Sequence, residues 1–188
     1  MKLIIVAGLN NSGPDHWQNF WQNHFPETIK VEQIEWDFPQ LTDWLNQMNQ
    51  TISSTDRSQP YILVGHSLGC VLCAHWLAQN DYRNVVGAML VAPADVDSEL
   101  HTPDYIWNFS PIPKVQFSIP TVVVASENDP YMTIERSKEL ANSWGSEFYN
   151  FGPLGHINSD CKLGLWPEGQ AVLEALKRSI EVNSLNNQ

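Results

Sequence analysis

Short apolar runs rich in Val and Ile alternate along this chain with longer segments in which apolar residues recur every three or four positions. Continuous runs bounded by turn-forming residues predict strands covered on both faces. There are six strand candidates, several of them such runs: Leu3–Ala7, Ile29–Glu35, Tyr61–Gly65, Val85–Val91, Thr121–Ala125 and Glu147–Phe151. Between them, Trp17, Phe20, Trp21 and His24 keep helical spacing after Ser-Gly-Pro-Asp, which suits a helix start. Leu41, Trp44, Leu45, Met48 and Ile52 repeat the pattern, as do Val172, Leu173, Leu176 and Ile180. Strand–helix alternation of this kind implies an α/β fold, a mainly parallel sheet with helices on both faces. No repeat or linker divides the chain, so a single domain over residues 1–182 is expected, with a polar tail, 183–188, that frays.

One segment breaks the alternation. Ala94–Gln116 carries Pro103, Pro111 and Pro113 with no sustained helical period, yet holds Tyr105, Ile106, Trp107 and Phe109. A long irregular connection this rich in rings is expected to be ordered and functional.

Composition narrows the function classes. The chain has 188 residues, 43% of them hydrophobic and 16% charged, enough for a sizeable core. A formal charge of −11 and a pI near 4.8 argue against nucleic acid and acidic membranes as partners. The apolar run Leu3–Ala7 is short for a signal peptide, and no segment is long enough to span a bilayer. Three cysteines, Cys70, Cys73 and Cys161, point to a reducing compartment, hence a cytoplasmic location. Cys70 and Cys73 match C-x-x-C but sit in an apolar helix-like stretch and read as core.

Gly65-His-Ser67-Leu-Gly69 matches G-x-S-x-G, a pattern that chance supplies about once in twenty chains of this length. Its context is more specific. A strand-like Tyr61–Val64 precedes it and a helix-like Cys70–Leu77 follows, the setting of a nucleophile elbow. A serine hydroxyl needs a base to take its proton and an acid to orient that base. In such a sheet they follow the serine in the order acid, then histidine, at the ends of later strands. Of six histidines only His156 follows the last predicted strand. Asp129, just beyond Thr121–Ala125, is the preferred acid, with Glu127, Asp95 and Asp97 as rivals. An oxyanion hole would use the N–H of Leu68 and that of Leu9, or alternatively Asn10, in the loop after the first strand. No metal-ligand set or phosphate-binding loop is apparent, so neither metal nor cofactor is expected.

Taken together, AGLNNSGPDHW, GHSLGC, APADVD, ASENDPY, WGSEFYNFGPLGHINS and GLWPEG cover nearly the whole chain. In these segments it resembles the small serine hydrolases of the α/β-hydrolase superfamily, in particular the retinoblastoma-binding protein 9 group and its bacterial relatives. The resemblance implies a minimal six-stranded, three-layer fold without a cap domain, and Ser67, Asp129 and His156 as a triad. It also implies esterase-like or peptidase-like hydrolysis. The Leu-x-Cys-x-Glu motif tied to retinoblastoma-type pocket proteins is missing, since Leu68-Gly-Cys70-Val is followed by Leu72, so no such partner is expected. The expected substrate is a small carboxylic ester; a short peptide, cleaved aminopeptidase-fashion, and a non-catalytic interaction module are the alternatives. Without a cap the site should be shallow, with Asn10, His66, Tyr105, Trp107 and Phe109 as candidate pocket residues.

Overall fold

The computed structural model describes residues 1–79 and 82–186. Six strands, β1 (Lys2–Val6), β2 (Ile29–Lys30), β3 (Tyr61–His66), β4 (Val85–Val91), β5 (Thr121–Ala125) and β6 (Glu147–Asn150), form one sheet in the order β2-β1-β3-β4-β5-β6. Every neighbouring pair is parallel. Among the described residues, five helices connect and flank the strands: α1 (Trp17–His24), α2 (Leu41–Ser53), α3 (Leu68–Leu77), α4 (Ile134–Trp144) and α5 (Pro167–Asn186).

The pleat divides the core in two. On one face Ile4, Val6 and Leu63 meet α2, α3 and α4 through Trp44, Met48, Val71 and Trp144. On the other, Leu3, Ile5, Ile62 and Val64 meet α1 and α5 through Trp17, Trp21, Leu173 and Leu176. The result is the three-layer αβα arrangement expected for continuous apolar strands.

Several boundaries differ from the sequence reading. Only Ile29–Lys30 pairs as β2, because the chain turns away after Val31, whose N–H donates to Ile5 O. Beyond it Ile34 is exposed, and Glu35 Oε1 accepts from the Asp37 N–H in a turn. In α1 the buried positions are Trp17, Gln18 and Trp21, whereas Phe20 and His24 face outward. That helix starts at Trp17, two residues after Asp15, with His16 as N-cap. Thr133 caps α4 by accepting from the Arg136 N–H. Finally, α5 continues through 183–186 of the supposed tail, since extending an established helix costs little. Asn187 and Gln188 lie outside the described residues.

The Ala94–Gln116 connection is ordered and acts as core. A 3₁₀ turn, Asp104–Phe109, buries Ile106 and Phe109, and Ile112 follows them inward. His75 Nε2 reaches Phe109 O at 2.7 Å. Asn108 joins the turn to the start of α2 by accepting from Leu41 N–H and donating to Pro39 O.

Candidate active site

Between β3 and α3 the chain reverses direction at Ser67, which takes φ +55° and ψ −124°. A non-glycine residue in this region is strained by roughly 1–3 kcal/mol, and such strain persists only where the surroundings over-determine it. Here the Ser67 N–H donates to Val91 O and the Ser67 carbonyl accepts from Cys70 N–H. The two glycines of the motif are required by close approach rather than by their own φ. A Cβ on Gly69 would lie 2.2 Å from Val6 O, and one on Gly65 only 3.2 Å from the Cys70 backbone. Without those side chains, α3 can press its first turn against β1 and β3 and lift Ser67 to the carboxyl edge of the sheet.

His156 and Asp129 converge on this edge from loops after β6 and β5. His156 Nε2 lies 2.8 Å from Ser67 Oγ, and His156 Nδ1 is 2.9 Å from each Asp129 carboxylate oxygen. A carboxylate only accepts, so the imidazole proton sits on Nδ1 and Nε2 is left to accept from the serine hydroxyl. The Asp129 side chain is almost fully buried and also accepts from the Tyr131 N–H at 2.9 Å. Gly152 and Gly155, both at positive φ, let the chain curl so that His156 points back toward α3.

The rival acids are engaged elsewhere. Glu127 accepts from Asn150 Nδ2 on β6. Asp95 and Asp97 flank the Arg136 guanidinium of α4 at 3.5 and 2.8 Å, and Asp97 also accepts from Ser110 and Ile112.

Two backbone donors face the region beside Ser67. Leu68 is the first residue of α3, so its N–H has no intrahelical acceptor. Gly8 packs so closely on the elbow that a Cβ there would be 2.8 Å from Ser67 Cβ and 3.2 Å from Leu68 N. The next N–H, that of Leu9, has no hydrogen-bond partner among the described residues. The Asn10 N–H is bound to Trp36 O at 3.0 Å, which removes it as the alternative donor.

A cleft of about 420 Å³ opens over Ser67. Of the expected pocket residues, Asn10, His66 and Tyr105 line it. Phe109 does not: it is fully buried against Trp44, 5.4 Å between ring centres. Trp107 is half-buried behind the wall, its indole N–H bound to Thr102 O. Phe109 is drawn into the core because the 3₁₀ turn points it and Ile106 inward. The lining also includes His16, Thr102, Ile106 and Tyr131, none of which sequence spacing singled out. Tyr131 had one signal, its place two residues after Asp129.

Behind the cleft stands a row of imidazoles. His66 packs against His16 and His156 with ring centres 4.6 and 4.9 Å apart, and its Nε2 donates to His156 O. Burial, reinforced by the neighbouring imidazoles, holds the His66 pKa well below its usual value. Burial does the same to His16, lowering it to about 4. His16 Nδ1 accepts from Gln18 N–H, so its proton sits on Nε2, which has no partner among the described residues. Cys70 and Cys73 are buried in α3 with thiol pKa values pushed up by desolvation, the opposite of what thiolate chemistry requires. Among the described residues, no cluster could hold a metal ion and no helix is long and apolar enough to cross a membrane.

Residues 3–175 match the family model described as serine hydrolase. Among solved structures, a protein of Pectobacterium atrosepticum assigned as YdeN-like hydrolase is 33% identical, with a TM-score of 0.79 over 98% of this chain and 91% of its own. The ydeN gene product of B. subtilis is 19% identical, with a TM-score of 0.74 over 94% and 98% of the two chains. A thermophilic esterase of Thermogutta terrifontis shares the fold at 13% identity, with a TM-score of 0.66 over 95% and 90%. A comparison with curated proteins gives no match.

Proposed function

The chain belongs to the serine hydrolase family, and from that premise we propose that it cleaves small carboxylic esters with Ser67 as nucleophile, His156 as general base and acid, and Asp129 as the orienting carboxylate. The observation that carries this reading is the unbroken line from Asp129 through His156 to Ser67, at 2.9 and 2.8 Å, ending on a serine at positive φ.

Ser67 Oγ attacks the ester carbonyl carbon while its proton passes to His156 Nε2. The carbonyl oxygen becomes an oxyanion facing the N–H groups of Leu68 and Leu9. As the tetrahedral intermediate collapses, the carbon–oxygen bond to the alcohol breaks and His156 returns the proton to the departing oxygen. Water then attacks the acyl-serine by the same route, releasing the acid and restoring Ser67. Asp129 stays ionised throughout, holding the Nδ1 proton and the cation that His156 transiently becomes.

Ester substrates are favoured over aminopeptidase substrates because none of the cleft-lining residues is an Asp or Glu able to hold a free α-ammonium group. The motifs ASENDPY and AGLNNSGPDHW support placing the chain beside the retinoblastoma-binding protein 9 group. Leu68–Cys73 supports no pocket-protein contact, since it is buried in α3. Three free thiols, two of them buried, are in keeping with a cytoplasmic location.

The direct test is labelling by a fluorophosphonate probe. The native protein is expected to label and Ser67→Ala to stay unlabelled, while Asp129→Asn lowers ester turnover about 10⁴-fold. Equal labelling of Ser67→Ala, or no labelling of the folded native protein, would sink the mechanism.

A further inference from the structure

We propose that Tyr131 forms the leaving-group wall of the cleft, and that the preferred substrates are uncharged esters whose alcohol portion carries an aromatic ring. This rests on the assignment of His156 as the acid that protonates the departing alcohol.

That role fixes where the alcohol lies. The departing oxygen must come within hydrogen-bond reach of His156 Nε2, so the group attached to it extends over the His156 side of the cleft. Tyr131 occupies that side. Its ring stands edge-to-face on the His156 imidazole with centres 4.5 Å apart, lines the cleft, and remains 40% exposed. By contrast, Trp17, Trp21, Trp44, Trp144, Trp166 and Phe109 are fully buried.

The ring is also held ready. Tyr131 N–H donates to Asp129 Oδ1 and Tyr131 O accepts from Asp95 N–H. The preceding Pro130 O accepts from His101 Nδ1 at 3.0 Å. A backbone anchored at three points leaves only the side-chain torsions free, so little entropy is lost when a ligand ring packs against it. Tyr105, 39% exposed and supported by Phe38 at 5.3 Å, supplies a second ring on the cleft wall.

Charge excludes the alternatives. None of the lining residues is Lys, Arg, Asp or Glu. A carboxylate or ammonium on the alcohol would therefore lose its hydration without a counter-ion. An uncharged ring loses little hydration and gains a face-to-edge contact.

The experiment compares benzyl acetate with propyl acetate, which share an acyl group and release alcohols of similar acidity. The native enzyme is expected to favour the benzyl ester in kcat/KM, and Tyr131→Leu to reduce that preference about three- to tenfold, the scale of one aromatic pair. Tyr131→Phe should retain it. A merely structural role for Tyr131 would lower both esters equally and leave the ratio unchanged, which overturns the proposal. So does a native enzyme with no benzyl preference, a result that needs no variant. A ring preference confined to the acyl side, methyl phenylacetate over methyl butyrate, overturns the placement as well. Fluorophosphonate labelling of Ser67 separates the failures. Labelling without benzyl selectivity removes only this inference, whereas no labelling removes the mechanism beneath it.

Discussion

Ser67 sits at a φ that most residues avoid, and its neighbours show why it stays there: its N–H and carbonyl are both bound, and Gly8 packs directly on its Cβ. His16, at the rear of the cleft, shows another local cost. Buried and neutral, with its pKa lowered to about 4 from 6.5, it resists protonation that the unfolded chain accepts. The unfolded state therefore binds more protons between those values, so stability present above pH 6.5 is lost as pH falls toward 4. His16 alone should remove about 3 kcal/mol over that window. Urea unfolding of the native protein and His16→Asn, which keeps an N-cap acceptor, should converge as pH drops from 7.5 to 4.5. Parallel curves would count against a neutral His16. Neither the charge state of this histidine nor its row with His66 and His156 is legible from local spacing. His66 ends β3, while His16 and His156 reach it from the segments after β1 and β6.

At the level of elements, the strand–turn–helix unit β3–Ser67–α3 was the most legible feature, because its pattern is local and each glycine has a steric duty. Gly69→Ala tests that duty. The added methyl would lie 2.2 Å from Val6 O and 2.7 Å from Ala7 O, backbone atoms that cannot give way without moving β1. The variant should lose about 3 kcal/mol, lower Tm by roughly 5–10 °C, and label poorly with the fluorophosphonate probe. Gly13→Ala, whose Cβ would meet nothing within 4 Å, should melt like the native protein. Equal melting of both variants would contradict the steric account. Less legible were β2, where apolar residues continue past the point at which pairing stops, and the 3₁₀ turn Asp104–Phe109. There Tyr105, Trp107 and Phe109 lie within five residues, yet only Tyr105 lines the cleft. Ring content predicted an ordered segment, but which ring faces the cleft depends on how the turn seats against Trp44 and α2.

Across the whole molecule, a formal charge of −11 leaves acidic groups facing one another with few partners. Arg136 gathers three of them, Asp95, Asp97 and Glu139, and ties the segment after β4 to α4. Screening the remaining repulsion should raise Tm by a few degrees between about 10 and 150 mM NaCl. A flat or falling Tm in a salt series of melting curves would contradict this. Local residue patterns carry the αβ alternation, the parallel sheet, the elbow and the chain order of Ser67, Asp129 and His156, because strand burial and elbow sterics act over short stretches of chain. It took the folded arrangement to bring Asp129 rather than Glu127 to His156, to leave the N–H of Leu9 rather than Asn10 without a partner among the described residues, and to set Tyr131 rather than Phe109 in the cleft wall. Each of those outcomes turns on where separate loops come to rest at one edge of the sheet, and that is set by long-range packing and hydrogen bonding.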